Sequence, residues 1–112
     1  MDDYIKYSST RGGDQSLSYE EVLLAGLARD GGLFMPEKWP SFSHSDLKLM
    51  KELSYSHLAS KILKPFIQPF LGEDDISNIC HATYSSFGKD VAPLKKLREN
   101  TYILELFHGP TL

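Results

Sequence analysis

The chain has 112 residues, 12 basic against 15 acidic side chains for a net charge of −3, and 41% hydrophobic residues including six Tyr and six Phe. That is enough apolar material for one globular domain and too little chain for two, and charge spread without long runs gives nucleic acid or an anionic membrane nothing to hold. The single cysteine, Cys80, excludes an internal disulfide framework, and beside His81 it has no second ligand at metal spacing, so no metal site is expected. Met1-Asp2-Asp3-Tyr4 has acids where a signal peptide needs bases, and no segment approaches the roughly 18 apolar residues of a membrane span. A soluble chain of the reducing cytoplasm is the expectation.

Residues 4–9 read as a short first strand, with Tyr4, Lys6 and Ser8 on one side and Ile5, Tyr7 and Ser9 on the other. Arg11-Gly12-Gly13-Asp14 then turns the chain. Its glycine pair has two readings, an anion cradle of backbone amides or a plain turn with a solvated Arg, and the longer spacing of a phosphate loop is lacking. Ser18-Tyr19-Glu20-Glu21 has the form of a capping box and opens a helix expected to reach about Ala28, with Val22, Leu23, Ala25 and Leu27 as its apolar side. Arg29-Asp30-Gly31-Gly32 is expected to end it on a left-handed glycine, before a short strand Leu33-Phe34-Met35-Pro36.

Residues 37–42 form a connector in which Trp39 reads as a core anchor. Ser43-His44-Ser45-Asp46 opens a second helix with Leu47, Met50 and Leu53 on one face, and a third is expected over residues 55–63, stopped or kinked by Pro65 and Pro69. Glu73-Asp74-Asp75 supplies acids to the first turn of a fourth helix, where Ile76, Ile79, Cys80, Thr83, Tyr84 and Phe87 make one buried stripe closed by Gly88. Cys80, inside that stripe, is a small core residue rather than a nucleophile. Residues 91–97 and 101–107 are two strands around the turn signal Arg98-Glu99-Asn100, a candidate hairpin, and the almost unbroken apolar run from Tyr102 to Phe107 reads as buried on both faces.

No chemical constellation is complete: there is no P-loop, dinucleotide fingerprint, H-E-x-x-H or paired cysteine. His44, His57 and His81 fall on predicted helices or caps and read as solvated. His108 differs because it sits on the turn His108-Gly109-Pro110-Thr111 that breaks the last strand, a strand, turn and helix start of the kind on which open α/β sheets place ligands. The alternative for the same residues is a terminal strand with a frayed polar tail.

Three blocks, Ser9-Thr10-Arg11-Gly12, the passage from Gly26 to Pro36 and Glu105-Leu106-Phe107-His108-Gly109-Pro110-Thr111, resemble in order the N-terminal region of threonine synthase, the first as in many bacterial members. The resemblance implies the N-terminal domain of a fold-type II pyridoxal-phosphate enzyme, α/β with helices packed on a few short strands. Residues 1–100 would be that domain, and residues 101–112 the first strand and turn leading into the cofactor domain. In the family the third block precedes the lysine that holds the cofactor, which would place that lysine beyond Leu112. The whole enzyme would convert O-phospho-L-homoserine and water to L-threonine and phosphate, with Phe107 and His108 lining the cofactor pocket and Thr111 capping the lysine-bearing helix. The 112 residues alone would then be inactive and would self-associate through apolar surface left open at the end. Two other readings stand beside it, a threonine-synthase-like phospho-lyase with the same motifs and a free-standing interaction module without catalysis.

Overall fold

The computed structural model describes residues 3–88 and 90–109. In chain order they form β1 (Tyr7–Ser9), α1 (Tyr19–Ala25), β2 (Phe34–Pro36), α2 (His44–Met50), α3 (Tyr55–Ile67), α4 (Glu73–Ser85), β3 (Leu94–Arg98) and β4 (Thr101–Leu104). The class is the expected α/β one, with the strands in two separate antiparallel pairs, β1–β2 and β3–β4. In the first pair Tyr7 lies opposite Pro36 and Ser9 opposite Phe34, and Tyr7 also exchanges both backbone hydrogen bonds with Leu17. The alternation read from the sequence holds here: Ile5, Tyr7 and Ser9 are buried while Tyr4 and Lys6 are exposed.

α1 begins as its sequence demands, Ser18 accepting from the Glu21 amide and Glu21 reaching back to the Ser18 amide. It stops at Ala25, earlier than expected, because Gly26 takes a positive φ of 73° that continues no right-handed helix, while its amide still bonds Val22 O at 3.0 Å. Residues 28–32 then close a turn of their own, with Gly31 N to Ala28 O at 2.9 Å and Ala28 N to Gly32 O at 3.1 Å. Leu27 is therefore outside the helix and exposed, and Leu23 and Leu24 within it are exposed too, so the apolar side expected for α1 is largely uncovered.

α2 carries a second capping box, Ser43 with Asp46, and buries Met50, whereas Leu47 and Leu53 stay exposed. α3 runs through Pro65 to Ile67 rather than ending before it. Pro65 has no amide to give to the carbonyl four residues back, yet the helix continues for two residues beyond it. The Gln68 amide still bonds Lys64 O at 3.1 Å, and the Tyr7 hydroxyl donates to Phe66 O at 2.7 Å. Trp39 corrects the sequence reading. It is 65% exposed and meets the protein by setting its ring edge-on to Phe66, with centroids 6.0 Å apart.

α3 and α4 make the most extensive helix contact. Ile76 and Cys80 of the expected stripe are buried and Tyr84 and Phe87 half-buried, but Ile79 and Thr83 are exposed. Burial pushes the Cys80 thiol pKa up, as suits an inert core sulfur. The predicted hairpin forms, with Leu94 opposite Leu104, Lys96 opposite Tyr102, a bulge between Lys96 and Arg98, and Asn100 left-handed in the turn. Its burial is not the predicted one. Tyr102, Ile103 and Leu104 are each about half exposed, and Leu106 and Phe107 about three-quarters. The compact unit expected of this length would have a radius of gyration of about 13 Å. The chain has 16.7 Å and extends over 45 × 29 × 28 Å.

Candidate functional site

Two of the three sequence blocks meet around Asp30. Its Oδ1 accepts from Ser9 Oγ at 2.7 Å and from Gly32 N at 2.9 Å, and its Oδ2 from Gly13 N at 2.8 Å. Arg11 Nη1 donates to Asp30 O at 3.0 Å, and Thr10 Oγ1 accepts from Leu33 N at 3.1 Å. Beside this, Asp14 takes Arg29 through Nη2 at 2.8 Å, Nε at 3.1 Å and the backbone amide at 3.0 Å. The donated bonds, from Ser9 first, hold the Asp30 carboxyl below the usual range, and Arg29 does the same for Asp14. The glycine pair is thus a turn whose Gly13 amide is already given to the protein's own carboxylate, and Arg11, though exposed, ties down the same loop. Glycine is required where the loops cross. A Cβ on Gly13 would lie 2.6 Å from Asp30 Oδ2, and one on Gly32 would be 3.0 Å from both Asp30 Oδ1 and Thr10 Oγ1.

The third block lies at the end of β4. The Glu105 amide bonds Pro93 O at 3.0 Å, His108 Nε2 stands 3.0 Å from Glu105 Oε1, and the Phe107 and His108 rings are tilted 39° with centroids 4.6 Å apart. A Cβ on Gly109 would meet the ring of Phe87, just beyond α4, at 3.5 Å. Pro110, Thr111 and Leu112 lie outside the described residues, so the capping role expected of Thr111 falls outside them as well. Among the described residues no hydrogen bond or ion pair joins this turn to the Asp30 loop cluster. His44, His57 and His81 are exposed, as read, and His57 is held by the helix cap at Ser54. What sequence reasoning missed is Glu105 as the partner of His108, for which the three-residue spacing of an acid and an imidazole was the available signal. Among the described residues no cluster of three or more His, Cys, Asp or Glu could hold a metal ion, and no helix is long and apolar enough to cross a membrane.

The fold has close counterparts. The solved structure described as pyridoxal-phosphate-bound threonine synthase from Brucella melitensis superposes with a TM-score of 0.87 at 39% identity, covering 95% of this chain and 23% of that one. Threonine synthase of Pseudomonas aeruginosa is 45% identical over 109 residues, 96% of this chain and 23% of the relative. Threonine synthase-like 2 of Xenopus laevis is 35% identical over 109 residues, again 96% of this chain and 23% of the relative. The chain therefore spans about a quarter of the length of the relatives it matches, and its architecture is that of the N-terminal α/β domain of a pyridoxal-phosphate enzyme. The family model described as threonine synthase N terminus matches residues 6–84, and the chain belongs to that family.

Proposed function

We propose that the chain is the N-terminal portion of a threonine synthase, a pyridoxal-phosphate-dependent carbon–oxygen lyase of the cytoplasm that converts O-phospho-L-homoserine and water to L-threonine and phosphate. The observation that carries this is the likeness of nearly the whole chain, in sequence and in fold, to threonine synthases about four times its length. Bound pyridoxal phosphate supplies the electron sink for such chemistry. The described residues do not build a pocket for it alone: Phe107 is 75% exposed, and with His108 it offers one wall. We assign that wall to Phe107 and His108, the cap of the following helix to Thr111, and the amine that holds the cofactor to sequence beyond Leu112. Residues 1–100 serve as the N-terminal domain, and residues 101–112 lead into the cofactor domain.

The test adds pyridoxal phosphate to the 112-residue chain and to a longer polypeptide that contains it, then measures retained visible absorbance after desalting and phosphate release from O-phospho-L-homoserine. Retention and release by the longer polypeptide alone is the expected result. A borohydride-trappable adduct on the short chain overturns the placement of the amine. The likeness to threonine synthase-like 2 sustains a phospho-lyase as the second reading. Release of phosphate without formation of threonine favours it.

A further inference from the structure

The turn after β4 inverts the usual order of burial. Leu106 is 73% exposed and Phe107 75%, yet the side chain of the acid between them and the strand, Glu105, is only 18% exposed, and that of His108 is 38% exposed. A solvated glutamate and histidine three residues apart in irregular backbone would gain little by pairing, because holding both side chains in one geometry costs rotamer freedom. Here the geometry is set from several sides. The Glu105 backbone is tied to Pro93 O, the imidazole lies beside the Phe107 ring, and the Phe87 ring bounds the space that a side chain on the next residue, Gly109, would enter.

We infer that Glu105 is a positioning residue that fixes the tautomer of His108 and so decides which kind of ligand group this turn can accept. An ionised carboxylate only accepts hydrogen bonds. With Oε1 3.0 Å from Nε2, the neutral imidazole must carry its proton on Nε2, which leaves Nδ1 as an acceptor. The neutral ring then offers the ligand no donor of its own. A hydroxyl or ammonium group of a bound molecule is matched at Nδ1, whereas a phosphate or carboxylate oxygen is repelled by the lone pair and must be bound elsewhere. This rests on the proposed function for the identity of the bound molecule but not for the tautomer, which belongs to the chain itself.

The deciding experiment is nitrogen-15 spectroscopy of the histidine rings in the 112-residue chain at about pH 8, above the ordinary imidazole value of about 6.5. His108 is expected as a single Nε2–H form with Nδ1 at the shift of an unprotonated ring nitrogen. Glu105→Ala is expected to move it towards the averaged shifts of exposed His44, and Glu105→Gln, whose amide oxygen can still accept from Nε2, to restore most of the difference. Amide spectra of each variant report that the fold is kept. Shifts of His108 that are the same with and without the carboxylate, or a proton on Nδ1 in the parent chain, overturn the inference. In the longer polypeptide Glu105→Ala is expected to weaken pyridoxal phosphate retention by about tenfold, the scale on which loss of an orienting outer partner acts in bound sites, with Glu105→Gln much closer to the parent. Failure of the parent longer polypeptide to retain cofactor overturns the proposed function and leaves the tautomer result to stand or fall by its spectra. Unchanged retention in Glu105→Ala overturns the link from tautomer to ligand.

Discussion

The two ends of the chain are held in opposite ways. Around β1 and β2 the loops are closed by directional bonds, and Asp30, Asp14 and Glu37 each take several donors from across the turn. No buried side-chain nitrogen or oxygen among the described residues lacks a partner. In the β3–β4 hairpin the backbone pairs correctly, but Leu94, Tyr102 and Leu104 share one face and Ile103 lies on the other, all of them near half exposed or more. A two-stranded hairpin is marginal alone, and apolar residues on both faces ask for cover on both. The difference teaches that a region can be complete in its backbone hydrogen bonds and still be incomplete in its packing, as the hairpin is.

The largest effect should come from the helical core that lies between the two ends. Ile76, on α4 and 2% exposed, lies among side chains of α1 and α3, and Ile76→Ala is expected to destabilise by about 2–5 kcal/mol through lost transfer energy and the cavity left behind. Denaturant unfolding monitored by far-ultraviolet dichroism checks it, and a loss under about 1 kcal/mol would show that α3 and α4 close over the gap. Next comes Gly32→Ala. Its methyl would press on Ser9 Oγ, Thr10 Oγ1 and Asp30 Oδ1 together, and overpacking of that sort costs about 1–3 kcal/mol. The same substitution at Gly12 meets nothing within 4 Å and is strained only by its φ of 84°, so the pair separates crowding from backbone strain.

What could be read in the sequence follows the same division. The capping boxes at Ser18 and Ser43, the in-out alternation of Ile5, Tyr7 and Ser9, and the turn at Asn100 are local, so spacing alone reveals them. The three sequence blocks pointed to the family, which the comparisons bear out. The Asp30 cluster was hidden because its partners lie 17 to 21 residues away in sequence, and no periodicity carries that. Continuation of α3 past Pro65 was hidden for a related reason: the carbonyl of Phe66 is satisfied by Tyr7, 59 residues distant. Trp39 failed as a core anchor because it is 65% exposed and meets Phe66 only near a right angle, ring edge to ring face, among the described residues. The hairpin was read as buried because its composition is that of a buried strand, and composition does not say whether the covering residues lie in the same stretch of chain.

Acid distinguishes the two regions further. Asp14, Asp30 and Glu37 have carboxyls held below their ordinary values by Arg29, Ser9 and Ser8 respectively. The folded state therefore binds protons less readily than the unfolded one. The stability these groups contribute is fully present above the ordinary carboxylate range near about 4, and it is lost as pH falls through the lower folded values. Asp30→Asn should be less stable than the parent at neutral pH, and the gap between them should narrow as pH falls from about 5 towards about 2. Unfolding measured across that range with a gap that stays constant would mean that the Asp30 charge is not what the donors hold.

The smallest change in stability should come from Leu104→Ser, and it sharpens the comparison most. Leu104 is 53% exposed on the hairpin face that also carries Leu94 and Tyr102, so its truncation leaves the monomer within about 0.5 kcal/mol of the parent, as at other surface positions. The effect should appear instead in association. A hairpin with two open edges and apolar side chains on both faces is expected to pair with another copy as concentration rises. Sedimentation velocity over a concentration series should show that tendency in the parent chain and a clear reduction in Leu104→Ser, with unchanged unfolding midpoints. If the parent stays monomeric throughout, the open hairpin is tolerated by solvent and the second region is more nearly finished than its exposure implies. If Leu104→Ser instead unfolds at markedly lower denaturant, Leu104 packs within its own chain, and the contrast between the two ends fails at the residue where it is drawn.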